Sequence, residues 1–560
     1  MSTPLNKLFE KHSDTLKGAL KAIRTRDYWS PYSENPSPRV YGETANQDGE
    51  AAFNAYLGKT FDLDMPGAKG QAGTEKSPFG VDLNIQYPTA DLNTLLPAMD
   101  EARKAWRDAG VDGRAAVCLE ILDRLNKRSF EIAYAVMHTS GQGFMMAFQA
   151  GGPHAQDRGL EAVAYGYEVM SAVPGKATWT KPQGKHDPLV MEKTFTTMGR
   201  GIGLVVGCST FPTWNTYPGM FASLVTGNPV VIKPHAGAIL PAAISVRIAQ
   251  DVLKECGLPA HIVSLVVDQD PQAPCTKELA QHPLVKLIDF TGNTAFGDWL
   301  EQNCPQAQVY TEKAGVNTII IDSTDDFKGM VRNLAFTLSL YSGQMCTTPQ
   351  DIFVPAEGIE TEDGHKSFDE VAQAIATGVS KFLSDPERAA MVLGAVQSTM
   401  TEERIKASAS LGTVVLESKK LENAQFPDAR VYSPLIMTID ADKADVYMNE
   451  LFGPISFIVK SNSREHSIEL AHQAVKEHGA ITMGCYSKDD AMLAQIEEAA
   501  LDAGVALSIN LTGGVFVNQS AAFSDFHATG ANPAANACLT DYAFVSNRFR
   551  VVQSRRHPKS

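Results

Sequence analysis

No stretch of the 560-residue chain approaches the roughly twenty consecutive apolar residues of a membrane-spanning helix. Nor does an apolar core follow the first residues, Met1-Ser2-Thr3-Pro4-Leu5-Asn6-Lys7, as a secretory signal requires. Cysteine is sparse: the chain has eight, no two at C-x-x-C spacing, which excludes a disulfide framework. Reduced thiols without an export signal give the expectation of a cytoplasmic protein, with no metal site. Positive charge is in deficit, 49 Lys and Arg against 64 Asp and Glu, for a formal net charge of −15. That balance argues against nucleic acid or an anionic membrane as the main partner, though a local basic pocket for a phosphorylated ligand stays open. Internal repeats are missing too. What remains is the composition of a soluble globular protein, long enough for two or three domains.

Residues 1–90 read as an N-terminal extension. Leu5, Leu8 and Phe9, then Leu16, Leu20 and Ile23, recur at helical spacing, and a stretch rich in Pro, Gly and Asn then reads as an irregular arm to about Gly80. Asp91 is placed to cap a helix carrying Leu95, Leu96 and Met99. A second helix from about Gly113 turns Val117, Ile121, Leu122 and Leu125 inward, and a third spans about Glu161–Ala172. Thr178-Trp179-Thr180 and Lys193-Thr194-Phe195-Thr196 flank turn residues, predicting a protruding hairpin at about 176–198. Strand-like and helical runs then alternate, strands including Gly203–Gly207, Pro229–Lys233 and Leu284–Phe290, and beyond Cys346 Asp351–Pro355, Ile455–Lys460 and Ile481–Tyr486. Apolar strands separated by helices indicate parallel sheets buried on both faces. The expected division is a nucleotide-binding α/β domain at 91–311, a catalytic α/β domain at 312–520, and a C-terminal segment at 521–560. That segment is expected to hold a strand at Tyr542–Ser546 and a solvated basic tail, Arg555-Arg556-His557-Pro558-Lys559.

Four motifs carry chemistry. Thr311-Glu312-Lys313-Ala314-Gly315 and Ser342-Gly343-Gln344-Met345-Cys346-Thr347-Thr348 bracket a β-like run and a helical run. A strand followed by an antiparallel helix can return the chain to its start, so a carboxylate and a thiol could share one cleft as base and nucleophile. Phe290-Thr291-Gly292-Asn293-Thr294-Ala295-Phe296-Gly297 follows a strand and opens a helix, where glycines let backbone N–H groups approach a phosphate. Gly227-Asn228-Pro229-Val230-Val231-Ile232-Lys233-Pro234 puts Lys233 at the carboxyl end of a parallel strand, the edge at which open α/β sheets bind ligands. Asn449-Glu450-Leu451-Phe452-Gly453-Pro454 sets an acid and an aromatic before a tight turn. Singly, each has an ordinary structural reading: a buried thiol, a glycine turn, a surface lysine, a helix end.

In this order the motifs closely resemble the NAD(P)-dependent aldehyde dehydrogenase superfamily, over roughly residues 91–544. Gly513-Gly514-Val515-Phe516-Val517-Asn518-Gln519 and Phe526-His527-Ala528-Thr529-Gly530-Ala531-Asn532-Pro533 look like its phenylacetic acid degradation (PaaN-type) branch. The resemblance implies two Rossmann-like, doubly wound parallel-sheet domains with a small β oligomerisation element, in a homodimer or homotetramer. It implies that the Cys346 thiolate adds to an aldehyde, that hydride leaves for a nicotinamide, and that Glu312 activates water against the thioester. A reactive Cys346 carries the further expectation of a lowered thiol pKa. Gly292 and Gly297 match the pyrophosphate turn, Lys233 the ribose contact, and Glu450 with Phe452 the nicotinamide-ribose contacts. The branch implies a semialdehyde from aromatic-ring cleavage, free or CoA-linked. No hydratase-like domain follows the dehydrogenase region, so a separate hydratase partner is expected. A CoA-acylating dehydrogenase and a non-catalytic binding protein of the same fold are the alternatives.

Two positions depart from the family. Where it has an asparagine that donates to the oxyanion, this chain has Thr210, in Thr210-Phe211-Pro212, with Asn215 as a substitute if the loop is reshaped. Losing such a donor costs about 3 kcal/mol of barrier. Where NAD-preferring members carry a glutamate after the ribose lysine, this chain has Ala236. That removes repulsion against a 2′-phosphate, which Lys233 and His235 could hold, so NADP is expected to be accepted and favoured over NAD.

Overall fold

A computed structural model describes residues 3–270 and 273–558. Among them no helix is long and apolar enough to cross a membrane. Five parallel strands form the first sheet, in the spatial order Val263–Leu265, Val230–Lys233, Ile202–Val206, Val285–Thr291 and Gln308–Glu312. In chain order this is 3-2-1-4-5, the doubly wound arrangement that opens a crevice at the carboxyl edge where the order reverses. Val230-Val231-Ile232-Lys233 is buried at every position, as a strand covered on both faces must be. A second, seven-stranded sheet is parallel except for its edge strand, Thr413–Leu416. Its strands Asn317–Ile321 and Pro349–Pro355 lie side by side, Ile319 opposite Ile352. Glu312 therefore ends the edge strand of one sheet, and Asn317 starts a central strand of the other.

Three antiparallel strands make a separate exposed sheet: Lys176–Gln183, His186–Gly199 and the C-terminal Phe549–Arg556. The expected hairpin is its outer half. The expected terminal strand is displaced: Tyr542–Ser546 is a helix, because the Asp541 carboxylate accepts the Phe544 N–H at 2.7 Å and starts a turn that buries Phe544 and Val545. The strand follows it, so the basic end is no free tail. Arg555 and Arg556 stand opposite Lys193 and Glu192, and Arg556 pairs with Glu192 at 3.0 Å. Lys559 lies outside the described residues. Arg548, 0 % exposed, ties this end to the first sheet through a bidentate pair with Asp289 at 2.5 and 2.8 Å, its guanidinium also over the Tyr310 and Phe544 rings.

The N-terminal extension is more structured than an arm. Thr3–Lys11 and Ser13–Thr25 are helices as the spacing requires, but Pro38–Tyr41 and Ala45–Asn54 are helical too, and Ala68–Ala72 pairs with Tyr87–Ala90. Buried Leu16, Ala19 and Ile23 face the helix Pro153–Ser171. Glu75, buried, accepts the Ile239 N–H and, at 2.8 Å, the Leu240 N–H, so the extension caps the helix Leu240–Glu255 of the first sheet's layer. Asp91 heads the helix Leu92–Asp108 as expected, but its carboxylate takes the Thr94 hydroxyl at 2.7 Å and no backbone N–H. The second helix runs Gly110–Lys127 and the third starts earlier, at Pro153. Between them Ser129–Ser140 and Phe144–Gly151 are helices that the periodicity did not announce. Ser129–Ser140 is buried on nearly every side, and such a helix has no polar face to contrast with an apolar one.

Candidate active site

The carboxyl edge of the first sheet and the amino edge of the second meet at one cleft, and the two residues singled out by sequence meet there: Glu312 ends a strand of the first sheet, and Cys346 precedes the strand Pro349–Pro355 of the second. Glu312, 4 % exposed, leaves the first sheet held by backbone bonds from Gly292 N to its own carbonyl (3.0 Å) and from Lys313 N to Ala534 O (2.6 Å). Cys346 arrives after the helix Phe327–Ser339 and a turn in which Tyr341, Ser342 and Gly343 all have left-handed backbone, with φ of 52°, 48° and 63°. Non-glycine residues there are strained, so the surroundings must hold them. Ser342 Oγ is within bonding distance of the Leu393 and Tyr432 carbonyls (3.1 and 2.9 Å). Gly343 packs so closely that a Cβ would stand 2.5 Å from Gly453 O. Asn317 Nδ2 then donates to the carbonyls of Cys346 (2.7 Å) and Thr348 (3.1 Å), fixing the nucleophile's backbone.

A third residue joins them. His527 Nε2 lies 3.6 Å from Cys346 Sγ and 3.3 Å from Glu312 Oε1, while Nδ1 lies 3.4 Å from Ser520 Oγ. The ring packs edge-on against Trp214, centroids 4.6 Å apart. Sequence reading placed His527 in a branch motif and gave it no role. It comes from a segment rich in Gly, Asn and Ala, with no spacing to tie it to Cys346 or Glu312. Buried Arg158 holds that segment, donating to Asp525 O (3.0 Å), Leu539 O (3.2 Å) and Ser520 Oγ (3.2 Å).

The charges settle unequally. Burial pushes Glu312 upward, but His527, the Cys346 thiol and Arg158 outweigh it and leave the carboxyl below its usual value. Cys346 goes the other way: burial first, then the facing Glu312 charge, hold the thiol well above its ordinary value. The lowered thiol pKa expected from sequence is therefore corrected. The resting pair is a carboxylate and a neutral thiol, and Nε2 of His527 faces both. Cys346 Sγ, Nε2 and a Glu312 oxygen lie within 4.8 Å of one another, donor types that a transition metal also accepts, but the hydrogen bonds account for the cluster without one.

Of the two oxyanion candidates, Asn215 lines the cavity that also holds Cys346, with Nδ2 3.2 Å from Glu312 Oε2. Thr210 is not among the described residues of that wall; its carbonyl accepts Gln142 Nε2 at 2.8 Å.

The expected cofactor residues line the other side of the cleft. Asn293 caps the helix Thr294–Asn303, accepting Phe296 N at 2.9 Å. A Cβ on Gly297 would stand 2.6 Å from the Lys313 side chain, and one on Gly292 2.7 Å from the Phe290 ring. Both positions need glycine for space, and the bare backbone at a helix N-terminus suits a pyrophosphate. Lys233, 4 % exposed, donates to Asp268 (2.7 Å) and to Pro234 O (3.1 Å), which leaves one of its three N–H groups for a ribose hydroxyl. His235 is exposed, its Nδ1 accepting Gly237 N at 3.1 Å. Half-buried Ala236 beside it offers no charge. Glu450 faces Gly315 N at 3.4 Å, pushed up to about 7 by burial, and with Phe452 it borders a small cavity that also touches Gly343 and Met345. The donor set fits a dinucleotide whose nicotinamide end reaches Cys346.

Two Rossmann-like sheets with a dinucleotide crevice between them define a nicotinamide-dependent dehydrogenase. The model of the Aldehyde dehydrogenase family matches residues 84–530, and the chain belongs to that family. It is an aldehyde dehydrogenase, an oxidoreductase using NAD or NADP. Its fold superimposes with a TM-score of 0.97 on the crystal structure of an NAD-dependent aldehyde dehydrogenase from Burkholderia multivorans, 58% identical, with 99% of each chain covered. A 1-pyrroline-5-carboxylate dehydrogenase from Bacillus subtilis (strain 168) is 23% identical over 525 residues, 90% of this chain and 95% of that one. The Thermus 1-pyrroline-5-carboxylate dehydrogenase with bound NAD shares the fold at a TM-score of 0.71 and 17% identity, covering 95% of this chain and 99% of that one.

Proposed function

We propose that the protein oxidises an aldehyde to a carboxylic acid with NAD, Cys346 forming the covalent adduct and His527 and Glu312 handling its protons. The observation that carries this is the meeting of Cys346 Sγ and the Glu312 carboxylate on His527 Nε2, at 3.6 and 3.3 Å. As Sγ adds to the carbonyl carbon, its proton passes to Nε2, and the imidazolium so formed lies against the Glu312 carboxylate, which offsets its charge. Asn215 is the side-chain amide positioned for the oxyanion. Bound NAD supplies the hydride acceptor. Once hydride has left the thiohemiacetal, a thioester remains on Cys346; His527 has returned its proton to solvent, and the His527–Glu312 pair takes a proton from water. Hydroxide addition to the thioester carbon expels the Cys346 thiolate and leaves the acid, and the proton held by the His527–Glu312 pair returns to the sulfur.

Several finer readings belong to the same proposal. NAD is favoured over the NADP expected from Ala236, because Asp268 already pairs with Lys233 and its carboxylate would repel a 2′-phosphate brought to that lysine. The segments Gly513–Gln519 and Phe526–Pro533 support a semialdehyde from aromatic-ring cleavage, as in phenylacetate degradation, with a separate hydratase in the pathway. The nucleotide-binding and catalytic divisions at 91–311 and 312–520 each contain one of the two parallel sheets. The exposed three-stranded sheet, with Val551 and Val552 outward, supports a homodimer or homotetramer. A cytoplasmic location follows from the reduced cysteines. Glu312 beside the thiol supports hydrolysis over transfer to CoA, and the assembled site speaks against a purely binding protein. The test is kinetic: Cys346→Ala forms no NADH, and Glu312→Gln gives one burst of NADH and then stalls. Full steady-state turnover by either variant would refute the assignment.

A further inference from the structure

Cys346 and His527 stand at the end of a cavity of about 530 Å³, the size of an aromatic or branched ligand and far larger than a short aldehyde needs. Its walls include Trp29, Met146, Trp214 and Phe336. Among the described residues no lysine or arginine lines it. Arg158, over the face of Trp214, has both terminal nitrogens engaged by Glu161, Ser520 and backbone carbonyls. The acids are Glu34 in the N-terminal strap, paired with His154 at 2.7 Å, and Asp157 in the wall. Asp157 is 6 % exposed and its Oδ1 has no hydrogen-bond partner. Burial holds its carboxyl well above the usual range, with Ser30 the hydrogen-bonding neighbour that opposes the shift. A neutral carboxylic acid inside an apolar wall donates a hydrogen bond. The strap that completes the chamber, Tyr28 to Glu34, belongs to the N-terminal extension, and Trp29 is locked edge-on against Phe523 at 5.1 Å.

Resting on the activity proposed above, we infer that the substrate is an aldehyde with an apolar, uncharged body whose far end is a hydrogen-bond acceptor such as an ester, thioester or amide, recognised by Asp157 within the chamber closed by residues 28–34. A free carboxylate there would meet no lysine or arginine, and the His154 imidazole in the wall is already engaged by Glu34, whose charge it would face. An unpaired buried anion is disfavoured strongly enough to separate matched substrates. A ring-cleavage semialdehyde whose acid end is masked as a thioester fits; one with a free carboxylate does not.

The test compares methyl 4-formylbenzoate with 4-carboxybenzaldehyde, and methyl 6-oxohexanoate with 6-oxohexanoate, using the full chain and NAD, with propanal as a control that needs none of the chamber. The ester of each pair is expected to have a kcat/KM about 100-fold above that of its acid. Gln149 lines the chamber, so Gln149→Lys puts a cation into the wall and should raise kcat/KM for the acids while leaving propanal unchanged. Asp157→Leu should raise KM for the esters with kcat kept, and Asp157→Asn should restore it. Equal use of ester and acid, preference for the acid, or turnover of propanal alone overturns the inference while the dehydrogenase reading stands. No NADH from any aldehyde, propanal included, overturns the dehydrogenase reading itself.

Discussion

Replacing His527 by alanine separates a three-residue site from a two-residue one. In the native structure Nε2 stands 3.6 Å from the thiol and 3.3 Å from the Glu312 carboxylate, and the thiol is neutral. Without the ring, the Cys346 proton must go directly to Glu312 or to water. Loss of a positioned acid–base group costs about 10²- to 10⁴-fold in rate, so kcat/KM should fall within that range. The variant has a second consequence with a fixed sign. His527 is the first of the groups that lower the Glu312 pKa, and burial, which raises it, is left less opposed. With that partner lost, the pKa of Glu312 should rise. The acid limb of the kcat/KM profile should then move to higher pH. Imidazole added to the buffer should enter the emptied space and restore part of the rate. A His527→Ala enzyme with unchanged kcat/KM and an unmoved acid limb would show that Glu312 serves the thiol alone and that the ring is packing.

Iodoacetamide labelling of Cys346, followed by mass spectrometry, should be slow at neutral pH and quicken as pH rises. Glu312→Gln should quicken it further by removing the charge that raises the thiol; slower labelling of that variant would contradict this. Glu75 is pushed up to about 7 by burial, so the folded protein holds a proton there that the unfolded chain releases near the ordinary value. Its share of stability is present at low pH and lost as pH rises toward 7, by roughly 3 kcal/mol. Glu75→Gln should accordingly raise Tm more at pH 8 than at pH 5, and a larger gain at pH 5 would reverse the sign. Arg548→Ala strands buried Asp289 and should cost about 3–5 kcal/mol in urea unfolding, whereas Asp289→Leu with Arg548→Met should recover most of it. kcat/KM with NAD should exceed that with NADP, and the opposite order would mean that Lys233 gives up Asp268 for the phosphate.

How much of this was legible in the sequence depended on whether each feature is local. The strand Pro229–Lys233, the glycine turn at Gly292 and the pairing of Glu312 with Cys346 are written in contiguous residues, and they stand where periodicity and turn chemistry put them. The helix Ser129–Ser140 was invisible because its burial on nearly every side removes the amphipathic signal. Tyr542–Ser546 was misread because an aromatic and β-branched run looks like a strand until the Asp541 cap is weighed against it. Asn215 was legible only as one of two candidates, since which of Asn215 and Thr210 lines the cavity depends on how the loop folds against its wall. The Cys346 thiol was misjudged for an electrostatic reason: a nearby base is also a nearby negative charge, and in a buried site it raises the thiol it serves.

The parts of the site that no local pattern announces come from the two ends of the chain, and one buried cation connects them. Arg26, from the N-terminal extension, reaches Glu161 at 3.1 Å, and Glu161 in turn pairs with Arg158 at 2.8 Å. Arg158 bonds Ser520 and the carbonyls of Asp525 and Leu539, on both sides of His527. Glu161 also accepts the Phe523 N–H at 3.0 Å, and Phe523 is the ring against which Trp29 packs. Fixing the N-terminal strap that closes the substrate chamber and fixing the histidine that touches the nucleophile are therefore one structural problem with one solution. Because a single network holds both, a chain that kept Cys346 and Glu312 but lost this network could keep the sheets and the dinucleotide crevice. It would lose together the histidine's position and the chamber that selects the aldehyde.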